Sequence, residues 1–426
     1  MKNTIVQNLS RTISPNEQGS CLEVEFEMPV HVKKLHVKYE ILHNGTGASI
    51  VDLGVKDPLA IRGWSGGARK EFSIEAHHAT PGYLHGELPE GVWAVLLGLY
   101  KISPEGCTVN IAIEMEKSEG SWLKGDWHTH TVHSDGKFTF ADVIAKAEQK
   151  GLDFIALTDH NTISQNLTYP RDTSLVFIPG MELTTHKGHS NLLGLVNPGI
   201  DFRFSTTERM NEALLNAKEK GATIVLNHPH CSNCPWEYDF EVPFDWIEVW
   251  NGPWRKENKH TLAWWHEQLC KGKRIVAVGG SDVHRPEKFI EHGTPTTHVW
   301  SGSKTMAAIL DGMHKGHAFM SYDVHGPTID LAYGQYQMGD VIPVSGESLI
   351  VKLNHLIEGD IIKIISDVDV QERRCEDGAG SKELSCKIEN QMFIRVEIWR
   401  YFEVVDAVLL AAMSNPIYFE TSVPKK

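Results

Sequence analysis

The chain has no long hydrophobic run. Its longest uncharged apolar stretch near the C-terminus, "AVLLAAM" (407–413), is far too short to span a bilayer, and the opening "MKNTIVQNLSRTIS" has no continuous apolar core of signal-peptide type. Cysteine is scarce as well: seven in 426 residues, scattered except for Cys231 and Cys234, which does not fit a secreted disulfide framework. A soluble, cytoplasmic protein in a reducing compartment is expected, without membrane association. Positive charge is also short, with 41 Lys and Arg against 55 Asp and Glu and a formal net charge of −14. No basic stripe is available to neutralise a phosphate backbone, so no extended nucleic acid is expected as a partner, whereas a small-molecule substrate is. Internal repeats and low-complexity tracts are lacking too. What the chain does have is 41% hydrophobic residues, ample for the cores of two or three domains.

Three regions follow from the patterning. In residues 1–120, "CLEVEFEM", "KKLHVKYEI" and "TVNIAIEM" alternate apolar and polar residues between Gly- and Pro-rich turns, which predicts an N-terminal β-domain of sandwich type. Residues 121–323 alternate helix and strand signals. "TFADVIAKAEQKG" opens with a capping pair, Thr139 and Asp142, and "DFIALTDH" follows it as a strand; the same grammar recurs three more times, implying parallel strands closed into a barrel. In residues 324–426 the helical periods vanish, and "SLIVKLNHLI", "DIIKIIS" and "MFIRVEIW" predict a small C-terminal β-domain.

The chemistry gathers where the central strands end. "DWHTH" carries His128 and His130, two apart and so on one side of a strand; "TDH" carries Asp159 and His160, "GMEL" Glu182, "GHSNLLG" His189, "LNHPH" His228 and His230, and "GGSDVH" Asp282 and His284. Strand ends are where a parallel barrel collects its active-site groups. A lone buried histidine is ordinarily a core residue, but six segments of this kind in one domain are not explained that way. Imidazoles and carboxylates together suit zinc, manganese or iron, and the lack of cysteine at these strand ends argues against a closed structural zinc site.

In order, "HTHTVHSDG", "ALTDHNT", "GMEL", "NHPH" and "GGSDVH" resemble the motifs of the PHP superfamily, named for polymerase and histidinol phosphatase. Further stretches, "RGWSGGARKEF", "ATPGYLHGELPEGVWAVLLGLYKI" and "FIRVEIW" with "SNPIYF", are similar to its carbaryl-hydrolase-like branch, CehA/McbA. The resemblance implies a distorted (β/α)7 PHP barrel holding two or three divalent ions (Zn, Mn or Fe). It implies one ion on His128, His130, Glu182 and Asp282, a second sharing Glu182 and adding His189 and His228, and a third on Asp135, His160 and His284. His133 is the alternative to Asp135, and His186 the alternative to His189. Cys231, Cys234 and Trp127 depart from the family pattern.

The implied function is a multinuclear metal-dependent hydrolase, foremost a phosphoesterase acting on a small substrate by attack of a metal-bound hydroxide. Carbamate, ester or amide hydrolysis of the carbaryl-hydrolase type is the alternative, and a non-catalytic metal-binding PHP domain the second. His230, two residues beyond His228, is the candidate general acid, set against a packing role. "DWIEVWNGPWRKEN" follows another strand, a position from which Asn251, Trp254 or Arg255 could reach the site; packing explains the tryptophans equally well, and none of these is taken as a ligand. "GWSGG" places Ser65 in a G-x-S-x-G pattern, but strand-like sequence follows it where a nucleophile elbow requires a helix, so a glycine-rich turn is expected there.

Overall fold

The computed structural model describes residues 4–420 apart from Val30, His31, His77, Arg171, 344–347 and Ala379. The chain divides into two compact units, Met1–Ser121 and Trp122–Lys426. Among the described residues no helix is long and apolar enough to cross a membrane.

The first unit contains two four-stranded antiparallel sheets. One pairs Thr4–Ile13, Cys107–Lys117, Val32–His43 and Glu71–Glu75 in that order; the other pairs Cys21–Met28, Gly91–Lys101, Ile50–Lys56 and Ile61–Trp64. Alternation decides which side chains turn inward. Leu35, Val37, Ile111 and Ile113 from the first sheet share one core with Val51, Leu53, Val95 and Leu97 from the second. Ser65 lies in a turn between two strands, with its Oγ 3.2 Å from the Leu53 carbonyl oxygen and 2.9 Å from the Tyr83 hydroxyl, and no helix longer than three residues follows it. That environment is a structural turn, as its sequence indicates.

In the second unit one sheet runs through Val276–Gly280, Trp246–Asn251, Thr223–Leu226, Gly188–Leu193, Val176–Thr185, Phe154–Leu157, Ser121–Asp126, Thr296–Ser301 and Ala318–Ser321. Four neighbouring pairs in this run are parallel. The pairing departs from a regular (β/α)7 repeat at the hairpin Val176–Thr185 and Gly188–Leu193, whose second strand is antiparallel to both its neighbours. Beyond the named strands, the chain after Val276–Gly280 meets the chain after Ser121–Asp126, where Thr129 bridges Val283 and the Asp282 amide donates to the His128 carbonyl oxygen at 2.8 Å. The same sheet then continues from Ala318–Ser321 into Ala407–Ser414 and Phe393–Phe402, so the C-terminal strands share it with the strands that carry the polar ends. A further four-stranded sheet, built on Thr328–Tyr333 and Ser348–Leu356, packs Leu331 and Val351 against Ile364 and Val396.

Helices Phe140–Lys150, Thr207–Glu219, Lys256–Cys270 and Met306–His314 occupy the four periodic segments. Thr139 caps the first by accepting from the Asp142 amide while Asp142 accepts from the Thr139 amide; Gly151, at φ 72°, ends it in the left-handed region that glycine adopts without strain. A fifth, Ser164–Thr168, is too short to carry a period.

Candidate metal centre

Strand alternation builds the base of the site. Following Ser121–Asp126, Trp127 turns into an apolar layer, its ring 4.8 Å from Phe154 and 5.1 Å from Trp246, while His128 and His130 turn the other way. Asp126, fully buried, clasps the neighbouring ends: its carboxylate accepts from the amides of His128 (3.2 Å), Ser281 (2.9 Å) and Gly293 (2.7 Å). Asp159 performs a similar service for the 131–135 loop, accepting from Thr131 and Ser134.

Glu182 is the hub. Its carboxylate is fully buried and lies 3.3 Å from His128 Nε2, 3.4 Å from His130 Nε2, 2.8 Å from His160 Nδ1, 3.2 Å from His189 Nδ1 and 3.6 Å from His228 Nε2. Asp282 faces it, with Oδ1 3.3 Å from His128 Nε2 and 3.1 Å from His130 Nε2. Toward solvent, Asp135 Oδ1 stands 3.4 Å from His284 Nε2 and 3.6 Å from His160 Nε2. The nine side chains singled out in the sequence therefore converge. Exposure rises from zero at Glu182 to 58% at Asp135, so a ligand reaches the cluster from the side of Asp135, His160 and His284. His133 is turned to Ser164 instead, and His186 sits beyond the hairpin strands beside Phe202 and Arg203.

His230 does not join them. The strand Thr223–Leu226 ends before it, the chain turns at 228–231 with the Cys231 amide donating to the His228 carbonyl oxygen, and strand periodicity no longer applies. Its Nδ1 lies 3.1 Å from Thr261 Oγ1 and its ring stacks toward Phe240. These partners, Thr261 and Phe240, lie outside the nine converging side chains, and the general-acid role of His230 stays an expectation. Asn251 does reach the site, donating to Asp282 Oδ2 at 3.3 Å, and Arg255 donates to Asn251 Oδ1 at 2.7 Å; Trp254 packs between Trp250 and Trp399.

The donor set fits divalent cations. His128 Nε2, His130 Nε2 and Glu182 Oε2 are buried without a well-formed hydrogen bond, an arrangement that is costly unless something else satisfies them. Ligand atoms of His128, His130 and Asp282 lie within 4.8 Å of one another, as do those of His130, Asp135, His160 and His284. Electrostatics agree. Burial alone would push the imidazoles down, yet Asp282, Glu248 and Glu182 raise His128 well above its ordinary value, and Glu182 and Asp282 bring His228 up to about 9. At His130 burial prevails and the shift is downward. In return the histidines hold Glu182 and Asp282 well below the usual carboxylate range despite burial. Cations entering such a site displace protons from it.

Glu248 was missed in the sequence. Its Oε1 lies 3.0 Å from His128 Nδ1, and its Oε2 accepts from the His228 amide at 2.9 Å and from Asn251 at 3.2 Å. A carboxylate on the far nitrogen of a ligating imidazole fixes its tautomer and aims the other nitrogen inward. The signal was a single acid in the otherwise uncharged buried strand Trp246–Asn251. Gly280 makes room for this contact: a Cβ there would crowd His128 Cβ and come within 2.8 Å of Glu248 Oε1. Glu248→Gln is expected to weaken metal binding by about 10- to 100-fold, measured by chelator competition. Unchanged affinity would reduce Glu248 to packing.

Two of the converging residues sit in unusual backbone, His228 at φ 27° and Asp282 at φ 52°. Such residues cost roughly 1–3 kcal/mol each and persist only where the surroundings enforce them.

The family model of the PHP domain matches residues 126–255. An uncharacterized protein of Methanocaldococcus jannaschii is 30% identical over 146 residues, covering 30% of this chain and 82% of that protein. Among solved structures, a two-domain protein of Bacteroides vulgatus containing a predicted PHP-like metal-dependent phosphoesterase aligns at 16% identity and a TM-score of 0.40, over 69% of this chain and 95% of that one. An amidohydrolase from Chromobacterium violaceum aligns at 16% identity and a TM-score of 0.27, over 39% and 89%. The domain match falls on the segments that carry seven of the nine converging side chains, His189 among them, and this chain therefore contains a PHP domain at residues 126–255.

Proposed function

We propose that the protein is a metal-dependent hydrolase, and specifically a phosphoesterase that cleaves a small substrate. The observation that carries this reading is the convergence of five imidazoles on the buried carboxylate of Glu182, with Asp282 opposite. His128, His130, Glu182 and Asp282 would hold one divalent ion, Glu182, His189 and His228 a second, and Asp135, His160 and His284 a third. Such ions lower the pKa of bound water toward roughly 7 and polarise the scissile group.

The chain's own residues supply the rest. Glu248 and Asp126 fix the orientation of His128 and the strand ends around it. Glu182, His130 and His128 form a floor closed to solvent, so the reacting groups enter from the more exposed rim of Asp135, His160 and His284. Asp135, Glu182 and Asp282 would repel a phosphoester anion, and compensation of these carboxylates is a condition for its approach. Arg255, exposed and hydrogen-bonded to Asn251, holds one positive charge next to the residue that donates to Asp282.

The test is elemental analysis of purified protein beside a panel of phosphomonoesters, phosphodiesters and aryl carbamates. Roughly two to three divalent ions per chain and fastest turnover of a phosphoester are expected, with loss of turnover after chelation. Faster cleavage of the carbamate would overturn the phosphoester assignment, and metal-free protein with full activity would overturn the hydrolytic centre.

A further inference from the structure

The loop after His228, "PHCSNCPW", is absent from the ligand set above, yet it folds back over that set. The Trp236 amide donates to the Pro229 carbonyl oxygen at 2.9 Å and the Glu237 amide to the Lys187 carbonyl oxygen at 2.7 Å, which ties the loop to the hairpin carrying His189. Trp236 is buried against Gly188, where no Cβ would fit. The result is a fixed position for Cys234. Its ligand atom and those of His189 and His228 lie within 4.8 Å of one another, and Cys234 Sγ stands 3.7 Å from His228 Nδ1.

We propose that Cys234 is a metal ligand, completing with His189 and His228 a thiolate-containing site for a borderline-soft divalent ion such as zinc or cobalt. The inference deepens the proposed hydrolytic centre and rests on that reading.

The distances fit one ion. Zinc bonds sulfur at about 2.3 Å and imidazole nitrogen at about 2.0–2.1 Å, so at a tetrahedral angle the two donors stand about 3.6 Å apart. The ring of His228 presents its other nitrogen, Nε2, to Glu182 at 3.6 Å. A neutral imidazole has a single lone pair for a metal, so ligation through Nδ1 leaves Nε2–H facing the Glu182 carboxylate, a short shift from the outer partner that ligating histidines ordinarily have. In this set Cys234 takes the place given above to Glu182 on the second ion, and three protein donors leave a fourth position open, as in hydrolytic rather than structural zinc sites. A thiolate also shifts preference from magnesium and manganese toward zinc and cobalt. Cys231, whose sulfur is 3.2 Å from that of Cys234, stands outside the triad. The contact is made by a loop that returns after His228, which no strand pattern records.

The experiment is cobalt titration of the chelator-stripped full-length protein, followed by absorbance, with metal content measured in parallel. Wild type should show a thiolate-to-cobalt charge-transfer band in the near ultraviolet. Cys234→Ser should lose the band and weaken one cobalt site by more than about 10-fold, whereas Cys231→Ser should keep the band. Cobalt-loaded wild type without the band overturns the proposal and leaves the metal centre standing; failure to take up cobalt at all overturns both. A band that survives in Cys234→Ser overturns the assignment of this sulfur.

Discussion

Glu182→Gln is expected to bind divalent metal at least about 100-fold more weakly than wild type, the upper end of what loss of a mere outer partner costs, and to lose turnover with it. The side chain is fully buried and lies within 3.6 Å of five imidazoles. Burial works against its charge, but His128, His160 and His189 hold the carboxyl ionised. An amide of the same size keeps the volume and removes the charge. It also turns an N–H donor toward rings whose lone pairs are needed for metal. In the metal-free variant the imidazolium charges that Glu182 balanced stay buried, and breaking a buried pair of this kind costs about 3–5 kcal/mol. Equilibrium dialysis gives the affinity, and circular dichroism shows whether the fold survives. A folded variant with wild-type affinity would remove Glu182 from the centre of the site.

The second large effect is expected one residue before the first histidine. Trp127→Ala should lower the free energy of unfolding by about 3–5 kcal/mol, because the indole is 1% exposed and lies against Phe154 and Trp246. Its N–H has no hydrogen-bond partner, so the ring contributes through packing alone, and Trp127→Phe should recover most of the loss. The layer behind Trp127 sets the height at which His128 and His130 project, which makes metal affinity fall together with stability. Denaturant unfolding of the metal-free proteins separates the two effects. A loss below about 1 kcal/mol for the alanine variant would show that the cavity collapses and that this layer does not anchor the histidines.

What the sequence disclosed was governed by period. His128 and His130 are two apart just past the strand Ser121–Asp126, Thr139 and Asp142 three apart at a helix start, and each relation is local enough to be read directly. Six of the nine side chains were legible because they follow the ends of strands, and Asp135, Glu182 and His189 because the motif order resembled a known family. Glu248 was not, since its meaning lies in a contact to His128 across 120 positions of chain. The antiparallel hairpin at 176–193 was missed for a related reason: "GMEL" and "GHSNLLG" read equally well as ends of separate parallel strands, and only the tight turn between Thr185 and Gly188 decides the pairing. The direction of His230 was not legible, because alternation does not carry past a proline into a turn.

The bridge between Thr129 and Val283 has a consequence for how the protein comes into being. His128 and Asp282 share a site but are separated by about 150 residues of chain, which takes on the order of 8–30 s to synthesise at roughly 5–20 residues per second. During that interval the early histidines lack their opposing carboxylate. A nascent chain truncated before Gly280 should therefore retain cations far less tightly than the released protein, so metal loading belongs to the end of translation rather than its course.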